Sequence, residues 1–244
     1  MTGDGQCFVA LSDRARLFRG CVTRQDGRIT DVRGLTGIPL RSTKGDRPRR
    51  FHRDSEGIAL RDDGRMFVSF EGFHRVWVYL ADDAPAAWLP RHDAFADLPL
   101  NGGLEALAIA PDGALITLPE NAETGAGRIP VYRYADGRWT QPYALPAHDG
   151  FKPTGADFGP DGLFYLLERR FTGLAFQSRL RRFRLTPDGP ADETLLLTTR
   201  PGQHDNLEGL SVWRAADGTL RATMVADDNF RFFQRTQIVE YALP

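Results

Sequence analysis

Lysine is almost absent from this chain: only Lys44 and Lys152 stand among 31 basic residues. Any anion-binding site must therefore rely mostly on arginine forks, not ammonium groups. An excess of either charge is missing too, with a net charge of −1 over 244 residues. That removes the electrostatic case for nucleic acid or an anionic membrane surface as a partner. No run of about eighteen apolar residues occurs, so no helical membrane span is encoded. Residues 1–5 show no charged-then-apolar leader pattern. No stretch keeps an i, i+3, i+4 apolar stripe over three turns, which excludes long amphipathic helices. Cysteine is limited to Cys7 and Cys21. A disulfide between neighbouring strands is geometrically awkward, so the pair is expected as two small buried apolar side chains, and the redox compartment is left open. The five histidines, at 52, 74, 92, 148 and 204, show no zinc-ligand spacing. A Gly-x-Ser-x-Gly elbow and a glycine-rich phosphate loop are both missing.

What is present is turn chemistry and a repeat. Glycine (25) and proline (16) together exceed their average share of about 12%. EGIALRDDG at 56–64, EALAIAPDG at 105–113 and TGADFGPDG at 154–162 are three copies of one pattern. A fourth starts with EGLSV at 208 and turns at Asp217-Gly218. Each copy is an apolar run, an Asp-Gly turn and a second apolar run, the signature of a β-hairpin. Third strands are predicted over 75–80, 128–134, 178–185 and 236–242, and fourth strands over 86–89, 138–145 and 194–199. Three or four strands at a period near fifty residues describe propeller blades. Segments 6–13, 16–23 and 28–34 supply a first blade without its innermost strand. The expectation is an all-β propeller in one domain, 1–244, with five blades visible and room for a sixth. The missing strand points to a natural protein that extends upstream of Met1. Trp77, Trp88, Trp139 and Trp213 are expected between blades.

Strands one and two of a blade are antiparallel, so the start of one lies beside the end of the other. Glu56, Glu105, Thr154 and Glu208 occupy starts; Asp13, Glu71, Glu120, Glu168 and Asp227 or Asp228 occupy ends. Both sets should converge on one mouth of the central channel. Such a ring repels itself unless bound hard cations, arginine partners or raised pKa values relieve it. Asn101, Asn121, Asn206 and Asn229 stand nearby as neutral oxygen donors, and Arg14, Arg75, Arg169, Arg170 and Arg235 as cations. A plainer reading remains beside this one, in which the strand-end carboxylates only tie blades together.

DSEG at 54–57, SFEG at 69–72, NGGLEAL at 101–107, LERRF at 167–171, DNLEG at 205–209, DDNF at 227–230 and QRT at 234–236 form an ordered series. The series resembles the bacterial phytase-like proteins described by "esterase-like activity of phytase", from about residue 8 to 243. The resemblance implies a β-propeller exported to the periplasm or cell surface, and a phosphoester or ester hydrolase. In propeller phytases, calcium at the mouth binds substrate phosphate with help from basic side chains. Carried onto this chain, Glu56, Glu71, Glu105, Glu120, Asn206, Glu208, Asp227 and Asp228 would hold Ca²⁺ or another divalent cation. Arg75, Arg169 and Arg235 would grip a small anionic substrate, and His204 and Glu168 are the catalytic candidates. Two rivals stand beside this: a non-enzymatic propeller that captures a cation, sugar or peptide, and a lactonase-like propeller with one metal at Glu56, Asn206 and Asp227. No nucleic acid and no membrane span are expected, and the protein is expected to be a monomer.

Overall fold

The structure, a computed structural model, describes residues 1–121, 127–226 and 236–244. Five antiparallel sheets stand in a ring, the arrangement of a β-propeller. Blade one is β1 (Cys7–Ser12), β2 (Arg16–Gln25) and β3 (Arg28–Pro39). Blade two is β4 (Ser55–Leu60), β5 (Met66–Phe70), β6 (Arg75–Tyr79) and β7 (Ala87–Trp88). Blade three runs β8 (Leu104–Ile109), β9 (Leu115–Pro119), β10 (Arg128–Ala135) and β11 (Arg138–Pro146). Blade four holds β12 (Lys152–Phe158), β13 (Phe164–Phe171), β14 (Phe176–Thr186) and β15 (Gly189–Thr198), and blade five β16 (Leu207–Arg214), β17 (Leu220–Ala226) and β18 (Gln237–Ala242). The Asp-Gly turns fall where the repeat predicts, with Gly64, Gly113, Gly162 and Gly218 all at positive φ. β1 packs on β4 as the second strands β5 and β13 pack on β8 and β16, so blade one lacks an innermost strand among the described residues.

Both faces of a blade meet another blade, which is why β5 and β9 are buried along their whole length. Four apolar clusters fill four junctions. Leu17 and Leu40 meet Met66, Val68 and Tyr79 between blades one and two. Phe67 and Val76 meet Leu107, Leu115 and Trp139 between two and three. Ile116 and Leu118 meet Phe164 and Leu166 between three and four, and Tyr165 and Leu180 meet Val212 and Met224 between four and five. The closing junction, five to one, is polar. Arg24 forks onto Glu240 (2.8 Å) and covers the Trp213 ring at 5.0 Å, while the Met1 amine donates to Ser211 Oγ at 2.8 Å.

Two expectations are corrected here. Cys7 and Cys21 are register partners on β1 and β2 and form a disulfide, not two buried thiols. Direct pairing across the hairpin brings the two side chains together on one face. Trp88 lies on the short outer strand β7 and is half exposed, edge-on to Trp77 and Phe73, whereas Trp77, Trp139 and Trp213 are buried.

Candidate cation site at the channel mouth

In the four innermost strands the ladder slips at the same place. Glu56 and Gly57 together oppose Ser69, while Glu105, Thr154 and Glu208 have no partner on the neighbouring strand. A β-bulge of this kind re-aims a side chain and ends regular pairing. The small residue that follows has a steric cause: a Cβ on Gly57 would collide with the Glu105 carbonyl oxygen, and one on Gly155 with that of Glu208. Thr154, the one non-acid of the set, instead donates its hydroxyl to the Leu207 carbonyl at 3.1 Å. The ends of the second strands then bring Glu71, Glu120 and Arg169 to the same rim.

Among the described residues, carboxylates prevail in one half of the mouth, with Arg53 acting on Asp54 and Arg169 on Glu105 from its edges. Asp54, Glu56 and Glu71 each offer an oxygen within 4.8 Å of the others. Glu71, only 2% exposed, is fixed by the backbone N–H groups of Gly102 and Gly103, both donating to its Oε1 at 2.5 Å. That leaves Oε2 for the cluster. Among the described residues, neither Glu56 nor Glu105 has a hydrogen-bond or ion-pair partner for its carboxylate, although Glu105 is only 7% exposed. The Oδ1 of Asp13 is also buried and unpartnered there. Burial first, then Glu71, Asp54, Glu208 and Asp13, push the Glu56 carboxyl well above its usual range. Burial and then Glu56, Glu71 and Glu120 do the same to Glu105, against the pull of Arg169. These groups converge on one another, as the repeat predicts.

The other half is neutralised from within. Arg169 Nη2 donates to Glu120 Oε1 and Nη1 to Glu208 Oε1, both at 3.1 Å, and Nη1 also meets Asn206 Oδ1. Asn206 Nδ2 returns a bond to Glu208 Oε1 at 2.5 Å. Asn121 donates to Glu120 Oε2 at 2.7 Å and accepts from the Lys152 ammonium. Arg169 thus serves carboxylates of its own chain in a network that joins blades three, four and five.

Other candidates stand elsewhere. Glu168, expected at the rim as a catalytic group, is fully buried and held by Arg179 and Arg181, each at 2.7 Å. It is one residue short of the rim, and alternate residues of a strand face opposite sides. Arg75, expected to grip substrate, is fully buried; it lies over the Phe70 and Trp77 rings and donates to the carbonyls of Phe73 (2.8 Å) and His52. Its role is to pin two rim loops. His204 bonds the Tyr241 hydroxyl at 2.6 Å, in a groove formed with Gln237 and Ile29. Burial lowers its pKa below the ordinary histidine value. Asp227, Asp228 and Arg235 lie outside the described residues. The reading of the repeat passed over Asp54 and Lys152 as site residues, although each stands two residues before the bulged position of its innermost strand.

The acidic half fits a hard divalent cation: its donors are all oxygens, and oxygens sharing one Ca²⁺ at 2.3–2.6 Å lie within about 5 Å of one another. Among the described residues Glu56 and Glu105 lack a partner for their carboxylates, and a bound cation would neutralise them.

The sequence matches the family described as "Phytase-like: Esterase-like activity of phytase" over residues 1–230. No curated protein matches it. Among solved structures, it is similar to a protein of unknown function from Dyadobacter fermentans, with TM-score 0.53 and 10% identity over 98% of this chain and 82% of that one. An endo-arabinase from Bacteroides thetaiotaomicron gives TM-score 0.50 and 13% identity over 97% and 93% of the two chains. A PQQ-bound aldose sugar dehydrogenase from Streptomyces coelicolor gives 0.50 and 12%, over 99% and 76%. At such identities the likeness is one of fold, and propellers of this fold carry unrelated activities.

Proposed function

The chain belongs to the phytase-like family, and from that premise we propose that its channel mouth holds one hard divalent cation, Ca²⁺ above all, and hydrolyses a small phosphate or carboxylic ester there. The observation that carries this reading is the pair of carboxylates, Glu56 and Glu105, that have no partner among the described residues: Glu56 lies with Asp54 and Glu71, and Glu105 faces Glu56 and Glu71. Asp54, Glu56 and Glu71 would hold the ion. A cation so held supplies a Lewis acid that lowers the pKa of water and neutralises developing negative charge. Glu71 is kept in place by the 102–103 backbone, and Arg75 by its two carbonyl bonds holds the loops on either side of the cluster. Glu105, a buried carboxyl facing Glu56 and Glu71 and without a partner among the described residues, is the acid–base group of this proposal.

Metal analysis of protein purified without chelator, followed by phosphatase and esterase assays on a broad panel with and without Ca²⁺, tests the reading. Turnover that depends on Ca²⁺ and is lost in Glu56→Gln supports it. Binding of Ca²⁺ with no turnover on any ester favours the second reading, a cation- or ligand-binding propeller. That alternative has its own observation: among the described residues the one histidine considered for catalysis, His204, is engaged with Tyr241, away from the carboxylates. Asn206, turned to Arg169 and Glu208, speaks against a metal set of Glu56, Asn206 and Asp227.

We also propose export to an oxidising compartment. The Cys7–Cys21 disulfide is of a kind that persists outside the reducing cytosol. Cell fractionation checks it: recovery of the native chain in the cytosolic fraction, with both thiols reduced, contradicts it.

A further inference from the structure

Blade four carries no acid at the three rim positions that are acidic in blade two. Where blade two has Asp54, Glu56 and Glu71, blade four has Lys152, Thr154 and Arg169 at the equivalent places in the ladder. Arg169 follows Gly162 by the same interval as Glu71 follows Gly64 and Glu120 follows Gly113. The exchange is therefore of a carboxylate for a guanidinium at one repeat position, not an arginine added at random.

The surroundings of that guanidinium have the composition of a cation site. Its two terminal nitrogens meet oxygens of Glu120, Glu208 and Asn206, drawn from the blades on either side. Two carboxylates and one amide oxygen are the donor types that a hard metal ion takes. Burial works against the charge of Arg169, yet Glu208, Glu120 and Glu105 outweigh it and hold its pKa above the ordinary arginine value. Without a positive charge there, those three carboxylates would face one another in a confined space, which is unfavourable.

We infer that Arg169 fills a second cation position of the mouth: blade four provides as a tethered side chain the positive charge that blade two takes from solution. The consequence is a limit on stoichiometry. Among the described residues the mouth then has a place for one ion, beside Asp54, Glu56 and Glu71, and the second position is closed to metal. The proposal that one ion is bound rests on the function proposed above; the role of Arg169 does not.

Calorimetric titration with Ca²⁺ and luminescence titration with Tb³⁺, on the full chain and on Arg169→Gln and Arg169→Lys, separate the two. Arg169→Gln is expected to bind one ion more than the unaltered protein, and to gain more thermal stability from Ca²⁺. Arg169→Lys keeps the charge and is expected to gain no ion. If the unaltered chain binds none and Arg169→Gln binds one, the cation reading of blade two falls and the role of Arg169 stands. If Arg169→Gln binds no more ions than the unaltered chain, the role of Arg169 is overturned, whatever blade two does. A variant that folds only in Ca²⁺ supports the inference. Should Arg169→Gln fail to fold even then, the double variant Glu120→Gln/Arg169→Gln decides: the inference requires restored folding with the unaltered stoichiometry, and continued failure refutes it.

Discussion

Glu168 and Arg169 are consecutive on β13 and serve opposite faces of the strand. Glu168 is closed off between Arg179 and Arg181 inside the blade, while Arg169 reaches Glu120 and Glu208 at the channel mouth. One residue of register separates a structural ion triad from the electrostatic centre of the site, because side chains alternate along a strand.

Glu168→Gln therefore acts on stability. It leaves two buried guanidinium groups short of their counter-charge, and removing one partner of a buried ion pair costs about 3–5 kcal/mol. Thermal unfolding should show the loss directly. A variant that keeps its Tm but loses activity would return Glu168 to the catalytic candidates.

Glu105→Gln should do the reverse in metal-free protein. The carboxyl is nearly buried, has no described partner and faces Glu56, Glu71 and Glu120, so replacing it by a neutral amide removes a repulsion. Tm is expected to rise, at about 2–4 °C for each kcal/mol in a domain of this size. Ca²⁺ affinity is expected to fall in the same variant.

The pH dependence of metal-free stability carries a sign. Glu56 and Glu105 have pKa values raised in the folded state, so the native protein binds more protons than the unfolded chain above the ordinary glutamate value near 4.3. Their contribution makes stability fall as pH rises from about 4.3 through their raised pKa values. Asp157, pushed up to about 6 chiefly by burial, acts in the same direction. His74 and His204, lowered by burial, act oppositely and cost stability when acidified below about 6.5. Comparing Tm from pH 5 to 8 with that of Glu56→Gln/Glu105→Gln isolates the carboxylates: the double variant should lose less stability on going to pH 8.

The closing junction predicts a third kind of effect. Glu240 accepts from Arg24, Arg221 and Thr223 where no apolar cluster is formed among the described residues. Glu240→Gln should cost about 2 kcal/mol, since hydrogen bonds to charged groups contribute about 1.5–3 kcal/mol. Asp82→Asn, which breaks the more exposed pair with Arg19, should cost about 1 kcal/mol at most. Denaturant unfolding of both variants checks the contrast; equal costs would mean that the junction is not held by these ions.

Much of the architecture was legible because the repeat is written in turn residues. Gly64, Gly113, Gly162 and Gly218 fix each hairpin, and the strands fall within a few residues of their predicted places. The convergence of Glu56, Glu71, Glu105, Glu120 and Glu208 follows from the same symmetry. What sequence spacing could not supply was which face a residue takes when register slips by one, as at Glu168, or whether an arginine is enclosed by aromatic rings, as Arg75 is between Phe70 and Trp77. The Cys7–Cys21 bond needed the strand register itself.

The central claim is tested most directly by calorimetric titration of chelator-treated protein with Ca²⁺, with Glu56→Gln beside it. The account predicts one ion per chain and at least about a tenfold loss of affinity in the variant, which is 1.4 kcal/mol. No binding by the unaltered chain, or equal binding by Glu56→Gln, would contradict it.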